Sequence, residues 1–316
     1  MSNSNSFNSY MERQIALLRA AGKVRTAETY EAAFKRFSEF LDGREIMFPE
    51  ITPGLVHEFE EFLLGRHNCR NTTSFYMRVL RAVYNRGADN GSLRFRDPFR
   101  QVYTGVDKTR KRAVPVSVIR RLKALNLDGK EDLAKARDIF LFSFYTRGMS
   151  FIDMAYLRCS DLRGNELYYK RHKTGQDLRI QSEPEMQAIV DRWPAQPDGF
   201  LLPILDEPHF SRASLTWTPE RMEKERAAYL RQKYKCSILH TNRALARLSD
   251  MLHLQTPLTT YVARHSWATI AYSRNVPMHL ISEAMGHGSE RTTRIYLSSL
   301  SNSSIDRANK RIIKLL

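Results

Sequence analysis

Between residues 10 and 100 the large apolar side chains recur every three or four positions, and that spacing constrains the segment to helices. From Thr26 to Leu41, Tyr30, Phe34, Phe37 and Leu41 share one face, with Lys35 and Arg36 on the other. Thr52 offers a cap and Pro53 fits a first turn, opening a helix that points Leu55, Phe59, Phe62 and Leu63 inward. From Thr72 to about Ala88 the inward set is Tyr76, Val79, Leu80, Val83 and Tyr84, accompanied by Arg70, Arg78, Arg81 and Arg86. A turn is expected at Asn90-Gly91, and a short helix over Arg13 to Ala21. Residues 1–10, rich in Ser and Asn, read as a flexible start. Residues 11–105 thus form an all-helical domain.

The pattern then changes. Residues 106–115 are a charged connector ending in Pro115, with Lys108, Arg110, Lys111 and Arg112 as its cations, and the domain boundary is placed here. Residues 116–300 read as a second domain, mostly helical. Helices are expected over Val118 to Leu125, Leu133 to Tyr145, Glu185 to Trp193, Pro219 to Tyr234 and Lys235 to Leu254. Ser150 followed by Asp153 fits a capping box, so a helix starts there and runs through Leu157. Alternation on either side of Lys173 and Gly175 predicts a β-hairpin with Lys173 near its turn. Residues 301–316 form a tail whose apolar edge (Ile305, Ile312, Ile313, Leu316) suits docking on this domain or on a neighbouring copy.

Charge narrows the partner. Fifty Lys and Arg oppose 34 Asp and Glu, a net +16, which favours a polyanion without separating nucleic acid from membrane surface or ribosome. No apolar run reaches the ~20 residues a bilayer crossing needs, so no membrane span is expected. Cys69, Cys159 and Cys236 are odd in number and far apart, which fits neither a disulfide framework nor a zinc knuckle. The polar start lacks the blocks of a signal peptide, and a cytoplasmic location follows. Arg78, Arg81 and the four connector cations are the candidates for contacting phosphates without reading sequence.

The stretch from Leu258 to Leu300 carries the chemistry. Arg264 precedes His287 by 23 positions (287 − 264), and His287 precedes Tyr296 by 9 (296 − 287). Each has an ordinary reading alone: a surface cation, a histidine after a helix-ending Gly286, one of 14 tyrosines. Together they suit phosphate chemistry. Arginine presents a permanently charged donor fork, histidine holds an oxygen or moves a proton, and a phenol can attack.

The order R-H-x-x-A-T, then G-H, then T-x-x-Y, with these intervals, resembles the C-terminal signature of the tyrosine recombinase (phage integrase) family. The resemblance implies a helical SAM-like core-binding domain and a catalytic domain with a small antiparallel sheet, closing as a C-shaped clamp on DNA. It implies a site-specific recombinase of the mobile-element integrase or invertase kind, acting on double-stranded DNA as a homo-tetramer, with no cofactor and no metal. Tyr296 would be the nucleophile, Arg264 and His287 would bind the phosphate, and Lys173 would be the general acid. The family's first arginine falls at Ser150 here, and Arg147 is the nearest cation to replace it. Tyr261 stands three residues before Arg264 (264 − 261), where the family has His or Lys, and is an auxiliary donor with Ser150. The tail is the candidate element exchanged between subunits. The rival expectations are a weakened DNA-binding relative and a relaxing enzyme of the topoisomerase IB kind.

Overall fold

The computed structural model describes residues 6–89, 97–107, 113–193, 199–210, 216–289 and 293. The chain divides into two compact units, residues 1–109 and 110–316. The first holds four α-helices among the described residues: α1 (Phe7–Ala20), α2 (Val24–Phe40), α3 (Pro53–Gly65) and α4 (Arg70–Asp89). Thr52 caps α3 as its sequence predicts, its hydroxyl accepting from the Leu55 amide at 3.2 Å. The first helix corrects the expectation. It begins at Phe7 rather than Arg13, inside the stretch read as flexible. Ser6 caps it through the Ser9 amide at 3.1 Å, and the buried Phe7 ring packs edge-on to Phe37 and Phe48. A cap plus one buried aromatic anchor outweighs polar local composition. Asn90-Gly91 lies outside the described residues.

The second unit runs α5 (Val116–Lys123), α6 (Glu131–Tyr145), α7 (Phe151–Ala155), β1 (Leu162–Arg163), β2 (Glu166–Lys170), β3 (Asp177–Gln181), α8 (Pro184–Arg192), α9 (Pro219–Met251), α10 (Thr260–Ser273) and α11 (Met278–Ala284). The hairpin is where the alternation placed it, with Tyr169 opposite Leu178 and Lys170 opposite Asp177. The two-residue β1 adds an antiparallel edge that no sequence pattern marked. The two helices expected over 219–254 are one helix of 33 residues, since neither Gly nor Pro interrupts it after Pro219. Its C-terminal half buries Leu245 and Leu248 against Phe140 of α6 and Val262 of α10. A buried carboxylate joins α6 to α8: Asp138 accepts from Arg192 at 2.7 Å and from the Trp193 indole at 2.9 Å. Among the described residues no helix is long and apolar enough to cross a membrane.

Candidate active site

Helix α10 turns Val262, Ala263, Arg264, Ser266 and Ala268 into the second unit, so its buried face carries a guanidinium. Arg264 is 2% exposed. It donates to the Gly148 carbonyl at 2.6 Å, to the Met285 carbonyl at 2.7 Å and to Nε2 of His287 at 2.9 Å. Burying a cation is costly unless hydrogen bonds replace its water, and these three do so from dipoles.

Two turns shape its surroundings. Gly148 has φ +75°, and a Cβ there would meet the Arg264 Cα at 2.9 Å. Arg147, directly before it, also has a positive φ of 60°. A left-handed arginine is held at a cost of ~1–2 kcal/mol, which a glycine would avoid. Its guanidinium reaches the Arg179 carbonyl on β3 at 3.4 Å.

The second turn ends α11. Gly286 donates to the Glu283 carbonyl at 2.8 Å and His287 to the Ser282 carbonyl at 2.9 Å, the paired bonds of a Schellman cap. Gly286 takes φ +63°, and a Cβ there would stand 2.8 Å from Leu178 and 3.0 Å from Arg171. The cap delivers His287 to Arg264. A guanidinium only donates, so Nε2 accepts and Nδ1 carries the proton toward the Thr293 hydroxyl at 2.7 Å. Burial first, then repulsion from Arg264, Arg171 and Lys173, pushes this imidazole down to about 3. Both causes favour its neutral form.

The hairpin supplies the third side. Leu167, Tyr169 and Arg171 alternate along it, and Arg171, 6% exposed, donates to the Gly286 carbonyl. Lys173 is exposed in the turn between β2 and β3, near enough for its charge to act on His287. The Tyr169 phenol is pushed up to about 12 by burial, with Asp153 adding to the rise and Arg264, Arg171 and Arg147 opposing it. Arg171 is the site residue that sequence reasoning missed. No local pattern marked it, because Arg171 lies one residue past β2 and its burial comes with the contact to Gly286.

Other candidates fall elsewhere. The Ser150 hydroxyl caps α7 and donates to Asp153 at 2.5 Å. Tyr261 is half exposed, its ring edge-on to His265 at 4.7 Å. In the first unit Arg81 is ion-paired with Asp97 at 2.6 Å, and exposed Arg78 bonds its own helix at the Ser74 carbonyl at 3.4 Å. Tyr296, Lys108, Arg110, Lys111, Arg112 and the tail 301–316 lie outside the described residues. Among the described residues no group of three His, Cys, Asp or Glu is placed to hold a metal ion.

Three cationic side chains, Arg264, Arg171 and Lys173, act on one imidazole from a helix and a hairpin, an arrangement whose chemistry suits a phosphate-sized anion. The phage integrase SAM-like domain model matches residues 6–102, and the phage integrase family model matches residues 212–303. No curated protein matches. Among solved structures, the chain is similar to the Tn1549 transposon integrase in complex with a circular intermediate DNA, at 14% identity and TM-score 0.66, over 98% of this chain and 100% of that one. It is similar to the XerH site-specific recombinase bound to a palindromic difH substrate, at 16% identity and TM-score 0.66, over 95% and 84%. It also resembles a lambda integrase dimer bound to a COC′ core site, at 14% identity and TM-score 0.62, over 92% and 77%. Likeness at such identities shows the fold. The chain belongs to the tyrosine recombinase (phage integrase) family of site-specific DNA strand-transfer enzymes.

Proposed function

We propose that this chain cuts and rejoins duplex DNA at specific sites through a 3′-phosphotyrosyl link, with Tyr296 as nucleophile. The supporting observation is the buried Arg264 guanidinium set against His287, with Arg171 donating to the turn between them. The phenolic oxygen attacks phosphorus, its proton passing to water, and the bond from phosphorus to the 5′-oxygen breaks. Lys173 gives a proton to that oxygen, leaving a 5′-hydroxyl. Arg264, His287 and Arg171 hold the non-bridging oxygens, with Arg147 beside them; each such donor contributes on the order of 3–4 kcal/mol of barrier. An entering phosphate adds negative charge that favours a proton on His287, so the imidazole acts as a donor only when substrate is present.

The energy of the phosphodiester stays in the covalent link, so a 5′-hydroxyl from another strand reverses the step. Exchanging two duplexes needs four such attacks, hence four copies on DNA. A lambda integrase tetramer bound to a Holliday junction, 13% identical with TM-score 0.61, supports that assembly for this fold. The tail 301–316 is the segment proposed to pass between copies, and the connector cations with Arg78 and Arg81 would add phosphate contacts. Such a reaction belongs on cytoplasmic, nucleoid DNA, in integration, excision or inversion of an element. Ser150 and Tyr261, in place of the family's cations, favour one second reading, a DNA-binding relative of weakened activity.

The test begins with a nicked suicide duplex selected from a random-sequence pool by covalent trapping on the wild-type chain. Tyr296→Phe is expected to bind that duplex and leave no covalent adduct. An adduct on the phenylalanine variant overturns the nucleophile, and failure of the wild type to trap any duplex supports the second reading.

A further inference from the structure

Ser150 occupies the place where the family pattern has an arginine, and the structure gives its hydroxyl another task. Asp153, 4% exposed, accepts from that hydroxyl at 2.5 Å and from the backbone amide of His172 at 2.9 Å. The same hydroxyl caps α7, so Ser150 fixes both the helix start and the carboxylate. His172 is held a second time, its ring 4.9 Å from that of Tyr156, just beyond the end of α7. Within the turn, the Arg171 amide bonds the Gln176 carbonyl and the Gly175 amide bonds the Arg171 carbonyl, each at 2.8 Å. The backbone entering Lys173 is therefore fixed on one side by a buried carboxylate and on the other by the hairpin. Lysine has a long, flexible stem, so where its ammonium can reach is set by where its backbone is held.

We propose that Asp153 and Ser150 are positioning residues for Lys173: the buried Asp153 carboxylate, held by the Ser150 cap of α7, holds the hairpin turn so that the ammonium meets the leaving 5′-oxygen. This rests on the reading of Lys173 as general acid. A misplacement of about 1 Å in such a group costs on the order of a hundredfold in rate. An alanine at 153 removes both acceptors and leaves the His172 amide with nothing at that position. An asparagine keeps one oxygen for the amide and an NH2 for the serine oxygen.

The experiment compares adduct formation on two versions of the trapped duplex, one ordinary and one with sulfur in place of the bridging 5′-oxygen. A thiolate departs without needing a proton, so the second duplex is indifferent to the acid. Lys173→Ala is expected to lose about 10²–10⁴-fold on the ordinary duplex and to recover nearly fully on the sulfur duplex. Asp153→Ala is expected to lose about 10–100-fold on the ordinary duplex and little on the sulfur one, with Asp153→Asn restoring most of the ordinary rate. Equal slowing of Asp153→Ala on both duplexes, or no slowing on either, overturns the proposal alone. Failure of sulfur to rescue Lys173→Ala overturns the acid assignment and the proposal with it. If Asp153→Ala gives no cooperative thermal transition, Ser150→Ala carries the same comparison, with a loss of about threefold to tenfold expected on the ordinary duplex only.

Discussion

Arg264 and Arg81 carry the same guanidinium in opposite circumstances. Arg81 lies on a basic helix of the first unit and is paired with Asp97 at 2.6 Å, its side chain 37% exposed. Arg264 is buried, and the partners at 2.6–2.9 Å that fix it are two carbonyls and an imidazole. A surface ion pair spends its field on its neighbour and on water, and contributes ~0–1 kcal/mol. A buried cation acts through a lower local dielectric, so its pull on an incoming anion is stronger than that of a surface one. The net +16 speaks only for a polyanionic partner; the chemistry rests on the few cations placed in the second way.

The largest effect should therefore come from Arg264. Arg264→Ala is expected to slow adduct formation by about 10²–10³-fold, the cost of one lost oxyanion donor. Arg264→Lys should recover little, because one ammonium cannot span two carbonyls and an imidazole in a planar fork. Arg171→Ala is expected to approach that loss and to exceed the loss from Arg147→Ala, measured as single-turnover rates on the same nicked duplex. If Arg81→Ala slowed cleavage as much as Arg264→Ala, the contrast between a surface cation and a buried one would fail.

Next in size is a pH dependence that only the buried site should show. The folded chain holds His287 at about 3, well below the ordinary 6.5. The unfolded chain takes up this proton as pH falls through 6.5, while the folded chain does so only near 3. The stabilisation is complete above pH 6.5 and is lost progressively below it. Glu207, lowered chiefly by Arg226 from the ordinary 4.5 to about 2, loses its own contribution as pH falls below about 4.5, so pH 5 to 6.5 keeps it largely out of the comparison. Over that window His287→Gln should flatten the slope of unfolding free energy against pH, by at most ~1.4 kcal/mol per pH unit. Urea titrations at pH 5.0 and 6.5 measure it. An unchanged slope would place His287 in a more open setting than its bonds to Arg264 and Thr293 suggest.

Much of this was legible in the chain, and the gaps have physical causes. Periodicity found α2 to α4 because each buries one face, and alternation found the hairpin because one of its faces is covered. Arg264 and His287 were legible by interval, since one helix, one Schellman turn and a glycine fix their separation. Phe7 was not, because a capped aromatic anchor at the start of a polar segment leaves no period to read. Arg171 was missed for a different reason. Its burial depends on Gly286, 115 positions away, and no local pattern reports a contact made across the fold. Ser150 was read correctly as a cap, yet its second bond, to the Asp153 carboxylate, follows from tertiary placement of the turn.

The smallest effect lies on the first unit and sharpens the opening contrast from its weaker side. Arg78 is exposed and bonded only loosely along its own helix, at 3.4 Å, whereas Arg81 must leave Asp97 before it can meet a phosphate. Arg78→Ala is expected to reduce the slope of log affinity against log salt by about 1, as the loss of one phosphate contact does. Arg81→Ala should change that slope less, and Asp97→Ala should raise affinity by freeing the guanidinium. The exposed change, Arg78→Ala, should not move folding stability by more than about 0.5 kcal/mol. Binding isotherms on the Tyr296→Phe background, at several salt concentrations, keep cleavage out of the measurement. Equal slopes lost from Arg78→Ala and Arg81→Ala would mean that DNA displaces Asp97 at little cost. Ion pairing would then be no guide to which cations of this helix touch the backbone, and the distinction would hold for buried guanidiniums alone.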